Sequence, residues 1–307
     1  MNFLQNIKGK QEFKTYAYEL GFDVVGVTSP SIPARNKERL DYVVENKLYG
    51  EMEFLARNTE LRKDPKLYWD KVKSVIVCGI NYYYPNPKES GKGYISTFAR
   101  GEDYHDVIRK KLQQLGDFIG CEYRACVDTS PVMEKALAEQ AGIGWIGRNS
   151  LVINKDFGPW LFLGVLLVDA EYGSDEPVKN GCGNCRVCID SCPANALTDK
   201  GLQPDKCLAY LLVEHKSEIP ETAHEVIGSN IFGCDTCLRN CPWHSKAQIT
   251  RCREFHPKEG LDRALEDWHN IDEAEFRKTF ANSTIKRLKL PRFLRNVGIA
   301  LRNNGKK

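Results

Sequence analysis

Cys182-Gly-Asn-Cys185-Arg-Val-Cys188-Ile-Asp-Ser-Cys192-Pro193 decides how this sequence is read, and Cys234-Asp-Thr-Cys237-Leu-Arg-Asn-Cys241-Pro242 answers it downstream. Three cysteines placed three apart on a tight loop can turn their thiolates onto one cubane, while a fourth, followed by proline, ligates a different cluster. A helix is expected to begin after Cys192, because proline's missing N–H would be an orphan in the first helical turn anyway. The downstream run holds three cysteines, and Cys207 is the only one between the two runs. Eight thiols therefore close the count for two clusters.

The spacing C-x2-C-x2-C-x3-C-P matches that of bacterial two-cluster ferredoxins, and the ferredoxin pattern crosses the ligands. It assigns Cys182, Cys185, Cys188 and Cys241 to one 4Fe-4S cluster and Cys192, Cys207, Cys234 and Cys237 to the other. Zinc and disulfides are the alternatives. Zinc knuckles use two separated C-x2-C pairs with four ligands in all, whereas here eight cysteines fall in two interlocking sets, each ending in Cys-Pro. Twelve cysteines behind an N-terminus without an apolar leader point to metal rather than to a disulfide framework.

A chain of 307 residues that is 42% apolar can bury a sizeable core and has room for two or three domains. Its longest strongly apolar stretch, Trp160 to Val168, is far short of the ~20 residues a membrane span needs. A cytoplasmic protein with no membrane partner is expected. The net charge of +3 is too small to imply nucleic acid, but it is unevenly spread. Between Phe276 and Lys307 there is no Asp or Glu, while Arg277, Lys278, Lys286, Arg287, Lys289, Arg292, Arg295, Arg302, Lys306 and Lys307 are basic. Such an end suits a phosphate backbone; a solvated helix face or a tail suits it equally.

Helical spacing of Phe13, Tyr16, Ala17 and Leu20, stopped by Gly21, predicts a first helix. Strands are expected at 22–28 and 73–78, the second β-branched and continuous. Tyr82-Tyr83-Tyr84-Pro85 opens a long polar connection, and the tyrosines could stack on a nucleotide. After it, Asp103-Tyr-His105 starts a helix in which His105 reads as a helix-start or supporting residue rather than a cobalt ligand. Cys126-Val-Asp128-Thr-Ser-Pro131 reads as a strand end running into a helix, with Pro131 in its first turn and Glu134 completing a cap. Asp128 is then either an N-cap or a carboxyl held at the strand edge where layered sheets bind ligands. Gly142, Gly144 and Gly147 permit either close approach to a flat ligand or tight turns. Residues 151–153 and 160–168 are expected to form a hairpin-like pair. Trp145, Trp160 and Trp243 are candidates for lining a cofactor or for the core.

The stretches Gly101-Glu-Asp-Tyr-His105, Val127-Asp-Thr-Ser-Pro131, Ala141-Gly-Ile-Gly-Trp-Ile-Gly-Arg-Asn-Ser150, both cluster runs and Cys207 together resemble the epoxyqueuosine reductases, in order over nearly the whole chain. The resemblance implies an α+β fold. An α/β layered cobalamin-binding domain (1–175) would precede a ferredoxin-like two-cluster domain (176–250) and a short helical, basic C-terminal segment (251–307). Many relatives carry HEAT-like repeats after this point, which this sequence does not. The architecture is shared with reductive dehalogenases. The activity implied is reduction of epoxyqueuosine to queuosine at the wobble position of queuosine-type tRNAs. Cobalamin and two 4Fe-4S clusters would serve it, in a monomer fed by an external low-potential electron donor. By the same resemblance, Asp128 is the proton donor, and Arg62, Asp128, Asn149, Val152, Leu163 and Asp235 line the cobalamin. Ser96 and Thr97 fall near the cobalt, where relatives often place a basic residue.

An epoxide becomes an alkene on gaining two electrons and losing its oxygen as water. Asp128, if buried beside the corrin, should have a raised pKa and hold the proton this needs. The rival activities on the same sequence are a corrinoid reductive dehalogenase of small organohalides and a ferredoxin-type electron carrier.

Overall fold

The computed structural model describes residues 7–305, so Lys306 and Lys307 of the basic end lie outside the described residues. The described residues hold ten strands: β1 (Val24–Thr28), β2 (Ser74–Asn81), β3 (Tyr94–Ile95), β4 (Tyr123–Cys126), β5 (Trp145–Ile146), β6 (Val152–Ile153), β7 (Leu161–Val168), β8 (Leu197–Thr198), β9 (Gly201–Leu202) and β10 (Asn230–Phe232). The main sheet runs β1-β2-β7-β4 and is antiparallel throughout.

Every residue of β2 is buried, which is why its sequence is a continuous apolar run rather than an alternation. Alternate residues serve opposite layers. Ile76, Cys78, Ile80, Leu166 and Val168 pack against the helices Lys10–Glu19 and Tyr104–Ile119. Val75, Val77, Val165 and Leu167 pack against Ala136 and Leu137 of the helix Glu134–Gln140. Gly164 lets the long helix press onto the sheet, since a Cβ there would lie 2.6 Å from the Ile108 side chain. That close approach brings the N-terminus of the helix, Tyr104 and His105, to the edge where β2 and β4 end and β7 begins.

The hairpin expected from 151–153 and 160–168 does not form. β6 pairs with β5, and β7 enters the centre of the sheet between β2 and β4. Eight consecutive apolar residues are satisfied better by burial on two faces than by a two-stranded ribbon. Nor does a helix follow Cys192: the chain turns into the β8–β9 hairpin, whereas Pro242 does open a helical turn, Pro242–Lys246, at the first position.

The C-terminal helices do not stand apart. Leu265, Trp268, Phe276, Phe280, Phe293 and Val297 share one core with Ile95 of β3 and Ile231 and Phe232 of β10, which pair in parallel. Arg292 and Arg295 donate to the carbonyls of Leu211, Glu214, His215 and Ser217, around the C-terminus of the helix Leu208–Val213 that follows Cys207. Cations stabilise a helix at that end. Lys278, Lys286 and Lys289 are exposed and make no ion pair among the described residues. No described helix is long and apolar enough to cross a membrane.

Candidate active site and cluster centre

The eight cysteines of the two runs separate into two groups. Cys182, Cys185, Cys188 and Cys241 line one small cavity of 70 Å³ with Arg148, Gly181 and Trp243. Cys192, Cys207, Cys234 and Cys237 line a second, much larger one of 390 Å³. In each group the thiols face one another across a void. Burial, followed by the charges of Cys241, Cys182 and Cys185, pushes Cys188 up to about 11. Cys207 is raised by burial and then by Cys234 and Cys192. Mutual repulsion of this kind is relieved when thiolates share a cationic centre. No three His, Cys, Asp or Glu side chains among the described residues converge tightly enough to hold a single ion. Four thiols lining one void in each group suit a cluster with four cysteine ligands. The other four cysteines, Cys78, Cys121, Cys126 and Cys252, lie outside both groups.

The larger cavity runs from the second thiol group to the edge of the main sheet. Its walls are Tyr82 after β2, Leu161, Phe162 and Leu163 of β7, Tyr104 at the helix start, and Asp128, Glu134 and Lys135 beyond β4. Mostly apolar walls with a few convergent polar groups suit a large flat ligand. Asn149 lines both cavities, and its Nδ2 is buried without a hydrogen-bond partner among the described residues. An orphaned buried donor at that junction fits a group with acceptors along its rim. The residues present therefore fit a corrin.

Of the six residues assigned to that ligand by resemblance, Asp128, Asn149, Leu163 and Asp235 line the cavity. Arg62 is buried behind the Asp128 loop, its Nη1 3.5 Å from the Ser130 carbonyl, and Val152 packs into the core beneath the sheet. Asp235 turns both carboxyl oxygens away from the open space, toward Tyr94, Ser96 and the Thr97 N–H. Ser96 lines the cavity; Thr97 is buried beside Asn86.

Asp128 neither caps a helix nor precedes one directly. Met133 is the N-cap, the helix begins at Glu134, and Pro131 lies before it. Asp128 instead has φ +50, a left-handed conformation costly for a residue with a Cβ. The turn is held by its own N–H, which donates to Glu134 Oε1 at 2.6 Å, so Glu134 does reach back, but across six residues. The conformation projects a carboxyl that is half exposed to the cavity and enclosed by protein elsewhere.

His105 is the residue the sequence undervalued. Its Nδ1 is 2.6 Å from Asp103 Oδ1 and its Nε2 is 3.2 Å from Asp128 Oδ2. Its neighbour Tyr104 stacks on it at 4.1 Å between ring centroids and on Phe162 at 4.4 Å. Burial alone would lower the imidazole, but the hydrogen bonds to Asp103 and Asp128 push it up to about 9. For Asp128, burial acts to raise the pKa, and the bonds from His105 and Tyr104 outweigh it, so the carboxyl is held below its ordinary value. The raised pKa expected for Asp128 is thus not what its surroundings give. The resting proton belongs to His105. Glu134, buried and facing the charge of Asp128, is pushed up to about 8.

Of the remaining candidates, Trp243 lines the cavity of the first thiol group and the others serve packing and turns. Trp145 and Trp243 meet edge-on at 4.8 Å beside Cys182 and Cys241, while Trp160 is in the core and donates to His244. Gly144 makes room for the Ile153 carbonyl and Gly142, at φ +73, for that of Glu176, so the glycine-rich stretch serves the chain's own turns.

Comparison with known proteins agrees with this geometry. Residues 62–129 match the family described as epoxyqueuosine reductase QueG, DUF1730, and residues 181–244 match the 4Fe-4S double cluster binding domain. The epoxyqueuosine reductase of Aliivibrio fischeri is 38% identical over 303 residues, covering 94% of this chain and 81% of its own. That of Leadbetterella byssophila is 37% identical over 292 residues, covering 94% and 96%. A crystal structure of epoxyqueuosine reductase with an epoxyqueuosine-modified tRNA-Tyr stem loop superposes with a TM-score of 0.88 at 28% identity, covering 96% of this chain and 81% of that one. The Bacillus subtilis enzyme, solved with its catalytic aspartate loop swung out of the active site, gives 0.85 at 27% identity over the same shares. With both relatives matched over more than four-fifths of their length, this chain belongs to the epoxyqueuosine reductase family.

Proposed function

We propose that this protein reduces epoxyqueuosine to queuosine in the anticodon loop of tRNA, at the cavity that joins Asp128 to the second thiol group. The observation that carries the reading is that one cavity is lined both by Cys192, Cys207, Cys234 and Cys237 and by Asp128. A reductive site needs an electron source and an acid within reach of the substrate, and the walls of this cavity supply both. When bound, the clusters deliver electrons singly and a cobalt corrin gathers two of them for cleavage of a carbon–oxygen bond. Cys182, Cys185, Cys188 and Cys241 would hold the outer cluster, the other four the inner one, and Asn149 would meet the corrin rim.

The chain's own part is proton supply. The epoxide oxygen needs protons as its bonds to carbon break. His105 donates from Nε2 to Asp128 Oδ2, and Asp128 passes the proton to the oxygen while Asp103 holds the imidazole in place. Glu134, protonated at neutral pH, is a second acid on the same wall. General acid help of this kind is worth about 100-fold to 10,000-fold. Apolar Phe162, Leu163 and Tyr82 keep water from competing for the reactive carbon.

The exposed Lys278, Lys286 and Lys289 are the proposed phosphate contacts for tRNA, and the proposed domain division falls at about 175 and 250, with the C-terminal helices sharing a core with β3 and β10 across it. The test is anaerobic: protein reconstituted with iron, sulfide and cobalamin, a low-potential reductant, and tRNA carrying epoxyqueuosine, with nucleosides read by mass spectrometry. Conversion to queuosine supports the reading; loaded protein that leaves the epoxide intact refutes it.

A further inference from the structure

Asp235 sits between two ligands of the inner thiol group, Cys234 and Cys237, and is 2% exposed. Its carboxyl faces three donors from a distant stretch of chain. Tyr94 Oη and the Thr97 N–H bond to Oδ2, each at 2.8 Å, and the Ser96 hydroxyl bonds to Oδ1. Three donors around one carboxyl, one of them a backbone amide, satisfy both its oxygens without solvent and fix its orientation. The same stretch is tied to the loop a second time through the parallel pairing of β3 with β10. Gly233, at φ +72, has no room for a side chain: a Cβ would lie 2.6 Å from that of Ser96. Arg239 approaches the Tyr94 hydroxyl at 3.4 Å, Lys88 stands over the Tyr94 ring, and Lys135 on the cavity wall feels the charges of Asp128 and Glu134 first and those of Cys207 and Cys237 after them.

Lys88, Arg239 and Lys135 are cations around the inner thiols; Asp235 is an anion among them. We infer that Asp235 sets the reduction potential of the inner cluster and fixes the Ser96–Phe98 wall of the cavity to it, as a positioning residue rather than a catalytic one. The inference rests on the reading of the thiols as cluster ligands. A reduced cluster carries one more negative charge than an oxidised one, so a buried carboxylate beside it disfavours reduction and lowers its potential. A low potential at the last carrier is what hands an electron on to a demanding acceptor. Tyr94, Ser96 and the Thr97 amide disperse part of that charge, and so limit how far the potential falls.

The test is a redox titration by electron paramagnetic resonance on full-length protein reconstituted with iron and sulfide, without cobalamin or tRNA. Asp235→Asn should raise the midpoint of one cluster and leave the other in place. Tyr94→Phe, which keeps the ring and removes a donor, should lower the same midpoint. Loosened packing that lets in water would move both variants in one direction. Shifts of opposite sign in a single cluster support the inference, whereas shifts of the same sign, or none, overturn it and leave the cluster reading standing. Wild-type protein in which the two signals never appear overturns the cluster reading itself.

Discussion

Replacing His105 by Asn tests the central electrostatic claim, because it removes the charge between Asp103 and Asp128 while keeping a polar side chain. In the folded protein the imidazole titrates at about 9, against 6.5 for the ordinary residue. At ~1.36 kcal/mol per pH unit, that preference for the imidazolium comes to roughly 3 kcal/mol. His105 is only 8% exposed, so solvent screens it little, but Asp128 is half open to the cavity, and about 2–3 kcal/mol is the reasonable expectation. Because the folded value lies above the unfolded one, this stabilisation is fully present below pH 6.5 and is lost as the pH rises through about 9. The lowered values of Asp103 and Asp128 describe the same pairs seen from the other side and are not added to it. Urea denaturation of wild type and His105→Asn, equally loaded with iron, should show a stability gap that shrinks by about 2–3 kcal/mol between roughly pH 6 and pH 10. A gap of the same size at both pH values would refute the charged relay.

Four further outcomes are expected. Asp128→Asn should keep its iron content and lose turnover by about 100-fold to 10,000-fold, measured as queuosine formed per enzyme. Cys241→Ser and Cys234→Ser should each lose one cluster and about half of the bound iron by elemental analysis, and the double variant nearly all of it; a double variant no poorer than either single would mean that the two cysteines serve one centre. Gly164→Ala should cost roughly 1–3 kcal/mol in chemical denaturation, because the added methyl meets Ile108 on the helix that carries His105. Lys286→Ala and Lys289→Ala should weaken tRNA binding across sequences and each flatten its salt dependence by about one unit of log–log slope, measured by filter binding at several salt concentrations.

The cluster runs, the buried strand of β2 and the first and long helices were legible because each is a local matter. Thiol spacing is set by the reach of a loop, and apolar periodicity by the geometry of one helix or strand. The partition of the eight cysteines needed a known pattern as well, since spacing alone leaves several ways to pair two runs with Cys207. Asp128 was picked out by its motif, yet its conformation, its role in a turn instead of a cap, and its low pKa were not visible. They arise from Glu134 reaching back across six residues and from His105, which is 23 positions away in the chain. The true place of β7 was hidden for the same reason, its partners β2 and β4 being distant in sequence.

The sequence by itself determined that eight cysteines stand in two runs and a bridging position with the spacing of cluster ligands, because ligand chemistry is written in residue type and spacing. Only the tertiary structure decided that one set of those cysteines opens onto the cavity that Asp128 faces, and that His105 meets Asp128 there. Charges and walls brought together from separate strands, a helix start and the cluster loops act through space, and distance in space is what the linear order does not carry.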